Sequence, residues 1–405
     1  MNTTCPLCNG NDTIKVYERN AMPFGFFLSS GLHSIKVDLK ISFCRDCLFV
    51  FQDSAYNSPD YDKKFNKIYK RYQIMDKNIT PFPYESGFGE TIDFLSQNMD
   101  FSNINNVLEI GSNRGDLLYL LRQRHKHLNV IGIEPSDLDY ASVVTVKSPF
   151  NAALFSNKFG LIIMRHVLEH VKYPLQFLFD IKKILSSRGL LFIEVPNLIR
   201  DLSDNIECFT PDHVNYFSSD AIKEAGRRAD MNINVLKNGL EGHLMVILEN
   251  SAFVESGGKV LSSRDLLVDK LRMYRRNLEN IVEVLIKLVI RDDFKIIFYG
   301  TGNAFMWVFS KLKADFGLIN HNILNHTLFC IDDSSAKYGK EIYNNIKIYN
   351  SEYIGDVIHP KVLIILCSFN REFAGKMELK VKKMNNISIS DLRIMRPWEK
   401  IIKIK

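Results

Sequence analysis

Val107-Leu-Glu-Ile-Gly-Ser-Asn-Arg-Gly-Asp116 decides the fold of this 405-residue chain. Val107-Leu-Glu-Ile110 reads as a buried strand and Gly111-Ser-Asn-Arg-Gly115 as a turn. Leu117, Leu118, Leu120 and Leu121 form the apolar face of a following helix. Glycines at 111 and 115 let the backbone reverse sharply and approach a ligand, while the amides that open the helix favour a carboxylate or phosphate. Strand, glycine turn and helix in this order form the pattern of nucleotide-cofactor sites.

The next strand, Val130-Ile-Gly-Ile133, ends in Glu134, where a carboxylate at a strand's C-terminal edge can take both hydroxyls of a ribose. Phe159-Gly-Leu-Ile-Ile-Met164 reads as a further strand, His166-Val-Leu-Glu-His170 as the opening of a helix, and Gly189-Leu-Leu-Phe-Ile-Glu-Val195 as a strand before Pro196. Strands alternating with helices imply an α/β fold with a parallel sheet.

Upstream lie two cysteine pairs, Cys5-Pro-Leu-Cys8 and Cys44-Arg-Asp-Cys47. Each short turn aims two sulfurs at one point, so Cys5, Cys8, Cys44 and Cys47 are expected to hold one Zn²⁺ tetrahedrally. Four protein ligands leave no open coordination position, which makes the ion structural. Cys208, Cys330 and Cys367 are isolated and read as small buried apolar residues. Phe24-Gly-Phe-Phe27 reads as core for the small module, with a lid over a neighbouring pocket as the alternative.

With 46% apolar and 24% charged residues the composition is that of a globular protein, and the length calls for two or three cores. No apolar run approaches the roughly 20 residues that span a bilayer. The start, Met1-Asn-Thr-Thr-Cys5, lacks the features of a signal peptide, so a cytoplasmic location without structural disulfides is expected. A formal charge of +6 is spread along the chain, with basic residues alternating with acidic ones, so neither nucleic acid nor a membrane is an expected partner.

In the C-terminal third, residues 262–291 read as a connecting helix with one apolar face. Lys295-Ile-Ile-Phe-Tyr-Gly300 then runs into Thr301-Gly302-Asn303, and a later strand ends in Asp332-Asp333, which repeats the logic of strand, glycine turn and strand-end acid. A second Rossmann-like sheet is implied. It lacks the third glycine of a dinucleotide signature, and Phe305 stands where a small residue would pack, so a bound NAD is not expected.

Glu109-Ile-Gly-Ser-Asn-Arg-Gly115 and Glu134 resemble the cofactor loop and ribose acid of class I S-adenosylmethionine-dependent methyltransferases. The paired CxxC motifs, Gly132-Ile-Glu-Pro135, Val167-Leu-Glu-His170, Ile193-Glu-Val-Pro196 and Asp212-His-Val-Asn-Tyr-Phe-Ser218 resemble, more closely, the sugar C-methyltransferases that act on nucleotide-linked 4-keto deoxysugars. That resemblance implies a zinc-binding module over 1–75, a methyltransferase domain over 76–255, a connecting helix over 256–291 and a Rossmann-like domain over 292–405. It also implies S-adenosyl-L-methionine held by Glu109, Gly111, Ser112, Asn113, Gly115, Glu134 and Pro135, with His166 near the adenine. Residues 210–213 match a segment that reads Tyr-x-Glu-His in those enzymes and handles the substrate and its proton. Here it reads Thr210-Pro-Asp-His213, so the phenol is absent and the carboxylate is one methylene shorter.

Carbon methylation requires a base to remove a proton next to the ketone, and an imidazole with an ordinary pKa of about 6.5 suits that transfer. His213 is the expected base, oriented or charged by Asp212, and His170 matches a second pocket histidine. A loop-capping His213 is the alternative reading, and Glu169 reads equally as a carboxylate at a helix start. Glu241-Gly-His-Leu-Met245 stands where the sugar enzymes show Gly-Ser-Leu-Arg, which points to a different acceptor. The expected activity is C-methylation of a nucleotide-linked keto-deoxysugar. O-methylation of a sugar or related metabolite is one alternative, and a non-catalytic scaffold with a methyltransferase fold is another.

Overall fold

The computed structural model describes residues 3–23, 36–66, 88–136, 143–204, 208–239, 242–251, 266–274, 287–301, 305, 326–343, 346–357, 359–368, 371–383, 389–396 and 401–403. They divide into two compact units, the first built on Met1–Asn20, Asp38–Asp201 and Phe209–Leu267 and the second on Ala21–Val37, Leu202–Cys208 and Val268–Lys405. Phe24–Phe27, Glu241, Gly302, Asn303 and the middle of the expected connecting helix lie outside the described residues, whereas residues 266–274 of that stretch are helical.

The first unit carries β1 (Thr13–Pro23), β2 (Lys36–Cys44), β3 (Val50–Gln52), β4 (Asn106–Ile110), β5 (Asn129–Ile133), β6 (Val144–Val146), β7 (Phe159–Arg165), β8 (Leu185–Pro196), β9 (Asn215–Tyr216), β10 (Asn232–Asn238) and β11 (His243–Glu249). Seven of these form one sheet in the order β10-β11-β8-β7-β4-β5-β6. β6, β5, β4, β7 and β8 run parallel, and β11 lies antiparallel to both β8 and β10. From β4 the chain builds first toward β5 and later returns to β7 on the other side. The crevice for a ligand in such a sheet opens at the C-terminal ends of those two strands.

Both faces of this sheet are covered, which explains why its strands read as nearly continuous apolar runs. Successive residues alternate in direction. Val107, Leu161, Ile163, Phe192 and Ile247 pack on one side with Ile92 and Leu95 of the helix Gly89–Asn98 and Leu117, Leu118 and Leu121 of the helix Asp116–Arg124. Leu108, Ile162, Met164, Leu191, Ile193, Val246 and Leu248 pack on the other, with Leu178 and Ile181 of the helix Pro174–Ile184 and Ile222 and Ala225 of the helix Ser219–Arg228. One element differs from the sequence expectation. Residues 168–170 form a single 3₁₀ turn and the helix starts later, at Pro174. His166, at φ +50°, turns the chain away from helical geometry, and Pro174 suits the first helical position, where its missing N–H has no partner to lose.

The N-terminal cysteine segment is not a bead apart from the larger sheet. Its strands β1-β2-β3 continue into β9, and Val50 and Phe51 pair antiparallel with Tyr216 and Asn215. Cys5, Cys44, Cys47, Phe49 and Phe51 belong to the same apolar cluster as Ile162, Leu178 and Ile193.

The second unit carries β12 (Lys295–Tyr299), β13 (Thr327–Ile331), β14 (Glu341–Tyr343), β15 (Ile346–Tyr349), β16 (Lys361–Leu366), β17 (Asp391–Met395) and β18 (Ile401–Lys403) in the order β14-β15-β13-β12-β16-β17-β18. Its five central strands are parallel and its two edges antiparallel. Gly300 leaves β12 at φ +91°, and a side chain there would approach the Cys367 carbonyl to 2.9 Å. Phe305 is buried edge-on against Phe298, ring centroids 5.2 Å apart. Among the described residues no helix is long and apolar enough to cross a membrane.

Phe51 stacks 6.0 Å from Phe49, meets Tyr56 edge-on at 5.7 Å and has no exposed surface. Phe51→Ala is expected to destabilise the first unit by about 3–5 kcal/mol, measured by urea unfolding followed by circular dichroism. A loss under about 1 kcal/mol would mean that the small sheet is not anchored in the shared core.

Candidate functional site at the ends of the central strands

The turn after β4 is hooked onto the end of β5. The amides of Gly111 and Ser112 both donate to the Ile133 carbonyl, at 2.9 and 3.3 Å. The Asn113 amide donates to Glu134 Oε2 at 3.0 Å, and the Ser136 amide donates to the other oxygen at 3.1 Å. Glu134 is completely buried. Pro135 stands between Glu134 and Ser136 in the same reversal.

Three glycines make this possible. Gly111 (φ +72°) has no room for a side chain, since a Cβ would stand 2.6 Å from Val167. Gly115 (φ +77°) caps the helix Asp116–Arg124, and a Cβ there would stand 2.1 Å from Val143. At Gly132 a Cβ would meet the Ser112 hydroxyl at 2.4 Å. Gly132 was part of the quoted Gly-Ile-Glu-Pro motif, but its role in admitting Ser112 emerges only from the fold. Asn113, at φ +47°, is of the residue type that best tolerates the left-handed region after glycine.

Glu109 points from β4 into the same region. It is buried and its Oε2 has no hydrogen-bond partner. Burial pushes its pKa up to about 8; Arg165 opposes that rise, and the negative charges of Asp116, Glu134 and Glu194 add to it. At neutral pH this side chain is therefore mostly a neutral acid with an O–H to donate.

On the other flank, β7 ends at Arg165 and His166 turns out of the strand with its amide on the Glu194 carbonyl, 2.9 Å. The Glu169 carboxylate lies 3.2 Å from His166 Nδ1 and is almost fully buried, so it serves this histidine and not a helix start. Burial disfavours the charged form of His166, but Glu169 and Glu194 outweigh it and hold the pKa up at about 9. Burial likewise disfavours an ionised Glu169, yet His166 and its neighbours His170 and His213 hold it well below the usual carboxylate range.

His170 Nδ1 lies 2.7 Å from the Asp212 carbonyl. Only a protonated Nδ1 can bond to a carbonyl, which leaves the Nε2 lone pair free in the neutral ring. The His170 and His213 rings meet edge-on, 4.9 Å between centroids. Burial pulls the His213 pKa below 6.5, with Asp212 opposing and His170 adding to the fall. Burial acts against an ionised Asp212, but His213 and His170 hold its carboxyl low.

Tyr56, Tyr61 and Phe65, which the sequence did not single out, fix this loop together with Asn215 and Tyr216 of the quoted motif. The Tyr61 hydroxyl donates to the Pro211 carbonyl at 2.6 Å. Tyr56 donates to Asn215 Oδ1 at 2.7 Å, and the Asn215 amide group donates to the carbonyls of Leu168 and Val171 at 2.9 and 2.6 Å. Phe65 lies 5.3 Å from the His170 ring. Tyr216 bonds to the backbone of Thr210 as donor and acceptor.

A third cluster centres on Glu194 of β8. Arg165 grips its carboxylate in a fork at 2.8 and 3.0 Å, and Thr91 donates to it at 2.8 Å. His166 Nε2 and His243 Nδ1 lie 3.5 and 3.3 Å from its Oε1. Burial disfavours the charge on Glu194, but His166, His243 and Arg165 hold its pKa far below the ordinary value. Glu194 and His243 stood in motifs already quoted; Thr91 and Arg165 carried no signal.

The four cysteines converge as their spacing requires. Sγ of Cys5 lies 3.6 Å from that of Cys47, and Sγ of Cys8 lies 3.5 Å from that of Cys44. Thiolates held tetrahedrally at about 2.3 Å from a zinc ion stand roughly 3.8 Å apart, so this donor set fits the ion. Both knuckles are built alike. The first cysteine's amide donates to the carbonyl five residues on, Gly10 at 2.9 Å and Phe49 at 2.8 Å, and the residue after the second cysteine is left-handed, Asn9 and Leu48. Hydrogen bonds to Cys44 push the Cys5 and Cys47 thiols up and Cys44 down.

The neutral state of Glu109 carries a stability signature. Its folded pKa lies above its ordinary 4.5, so between about 4.5 and 8 the folded chain holds a proton that the unfolded chain has lost, and stability falls as pH rises through that window. Glu109→Gln, neutral throughout, is expected to leave the Tm nearly unchanged at pH 5 and to raise it relative to the parent at pH 8. Parallel curves in scanning calorimetry would refute this.

Residues 84–235 match the family model described as a methyltransferase domain. No curated protein sequence matches the chain. Solved structures similar to it include PigF with SAH, at 15% identity and TM-score 0.33, over 48% of this chain and 60% of that one. Another is the Burkholderia thailandensis 1,6-didemethyltoxoflavin-N1-methyltransferase with bound 1,6-didemethyltoxoflavin and S-adenosylhomocysteine, at 14% identity and TM-score 0.38, over 51% of this chain and 96% of that one. The chain thus spans less than two thirds of the PigF chain. Its segment 84–235 is thus similar to a methyltransferase domain.

Proposed function

We propose that the protein moves a methyl group from S-adenosylmethionine to a carbon of a nucleotide-linked keto-deoxysugar, with His213 as the base. The observation that carries this reading is the pairing of a neutral, half-buried His213 with His170, whose tautomer is locked by the Asp212 carbonyl. Bound S-adenosylmethionine supplies an electrophilic methyl carbon on a sulfonium. Glu109, Gly111, Ser112, Asn113, Gly115, Glu134, Pro135 and His166 line its place in this reading. Three positions without room for a side chain and the buried carboxylate of Glu134 support that assignment.

His213 takes the proton from the carbon next to the ketone and leaves the C–H electron pair as an enolate; its carbon would take the methyl group, with the C–S electron pair leaving on the sulfur as S-adenosylhomocysteine. The proton stays on the imidazole, where Asp212 offsets its charge. Thr210 supplies no phenol, and the same histidine is also able to deprotonate a hydroxyl, so O-methylation is the second reading. A binding protein without activity is the reading left if S-adenosylmethionine does not bind.

Mixing the protein with a nucleotide-linked 4-keto-deoxysugar in D₂O is expected to introduce deuterium next to the ketone, read by mass spectrometry, and His213→Ala should abolish the exchange. Exchange-free methylation would favour oxygen. Because burial holds the His213 pKa below 6.5, the rate should be flat near neutrality and fall in acid as the base is protonated. Asp212→Asn removes the charge that opposes this shift, so the acid limb should move to lower pH.

In the same proposal Cys5, Cys8, Cys44 and Cys47 hold a structural zinc, and the module that it closes supplies Tyr56 and Tyr61 to the loop that carries His213. Cys44→Ser is expected to lose the metal, read by elemental analysis, lower the Tm and reduce methyl transfer together. Full activity in metal-free protein would separate the module from the site.

A further inference from the structure

His166 Nε2 and His243 Nδ1 both face a single oxygen, Glu194 Oε1, from 3.5 and 3.3 Å. Nitrogen and oxygen ligands bound tetrahedrally at about 2.0–2.1 Å stand roughly 3.4 Å apart, so two edges of a coordination sphere are already in place. The three ligand atoms all lie within 4.8 Å of one another. From this geometry we infer that His166, His243 and Glu194 bind a divalent transition-metal ion, separate from the cysteine cluster.

The surroundings are those of a metal site. His166 Nδ1 lies on the Glu169 carboxylate at 3.2 Å, which keeps the proton on Nδ1 when an ion displaces the one on Nε2. A carboxylate has about four lone-pair directions. Arg165 occupies two on Glu194 and Thr91 a third, which leaves one on Oε1, the oxygen that both histidines face. His166 stands at φ +50°, and the turn it makes out of β7 brings its ring to His243, 4.5 Å between centroids.

Two imidazoles and one carboxylate are the donors of catalytic and not structural ions, because they leave coordination positions open. Here Glu194 is buried, whereas the side chains of His166 and His243 keep 38% and 25% of their surface exposed, so the two imidazoles are within reach of solvent. An ion there would accept a carbonyl or hydroxyl oxygen of a methyl acceptor and polarise it. That use rests on the methyl-transfer reading; the binding of the ion does not.

The test uses the full chain purified with its cysteine cluster zinc-loaded and dialysed against Co²⁺. One equivalent of cobalt is expected, with visible d–d bands and no thiolate-to-cobalt charge transfer. His243→Ala should lose that equivalent, and His166→Gln should do the same if the alanine variant does not fold. Glu169→Gln, which removes only the group that orients His166, should weaken binding by roughly tenfold or more. Parent protein that takes up no cobalt, or only cobalt with thiolate bands, overturns the site and leaves an ion-pair network, and so does uptake unchanged in both histidine variants. Calorimetry with S-adenosylmethionine on the same samples separates the two proposals, since cobalt bound without that ligand would sink the methyl-transfer reading alone.

Discussion

Glu134 is a carboxylate without exposed surface, and backbone amides from both sides of one crevice donate to its two oxygens. Burying a carboxyl group is costly unless hydrogen bonds replace the lost water. Here the replacements come from Asn113 and Ser136, so the turn after β4 and the end of β5 are held as one piece. Gly132 lets Ser112 pack against β5, and Gly111 lets Val167 close in from β7.

The C-terminal unit repeats the construction with a different outcome. Gly300 donates to the Ile331 carbonyl as Gly111 does to that of Ile133, and Thr301 donates twice to Asp332. There, however, Lys337 also pairs with the acid at 2.9 Å. A carboxylate already neutralised by an ammonium group has less to offer a ribose, which agrees with the incomplete glycine signature of that segment.

Three buried glutamates show how local partners decide charge. Glu194 has a guanidinium and two imidazoles beside it, Glu169 has His166, and both stay ionised despite burial. Glu109 has no partner on its Oε2 and is surrounded mainly by other acids, so it keeps its proton to about pH 8. The same low-dielectric environment thus yields two anions and one hydrogen-bond donor within a few residues of the same strand ends.

The sequence by itself determined the parallel α/β sheet, the glycine turn after β4 and the convergence of the four cysteines, because each depends on neighbours close in the chain. Strand periodicity, glycine placement and CxxC spacing are local signals. Tertiary structure alone decided which distant side chains complete the site. Thr91 reaches Glu194 across 103 residues, and Tyr61 reaches Pro211 across 150. No periodicity encodes such pairs, since they arise from the order in which strands are laid into the sheet, and that order brings the ends of β7, β8 and β11 together where Arg165, Glu194 and His243 meet.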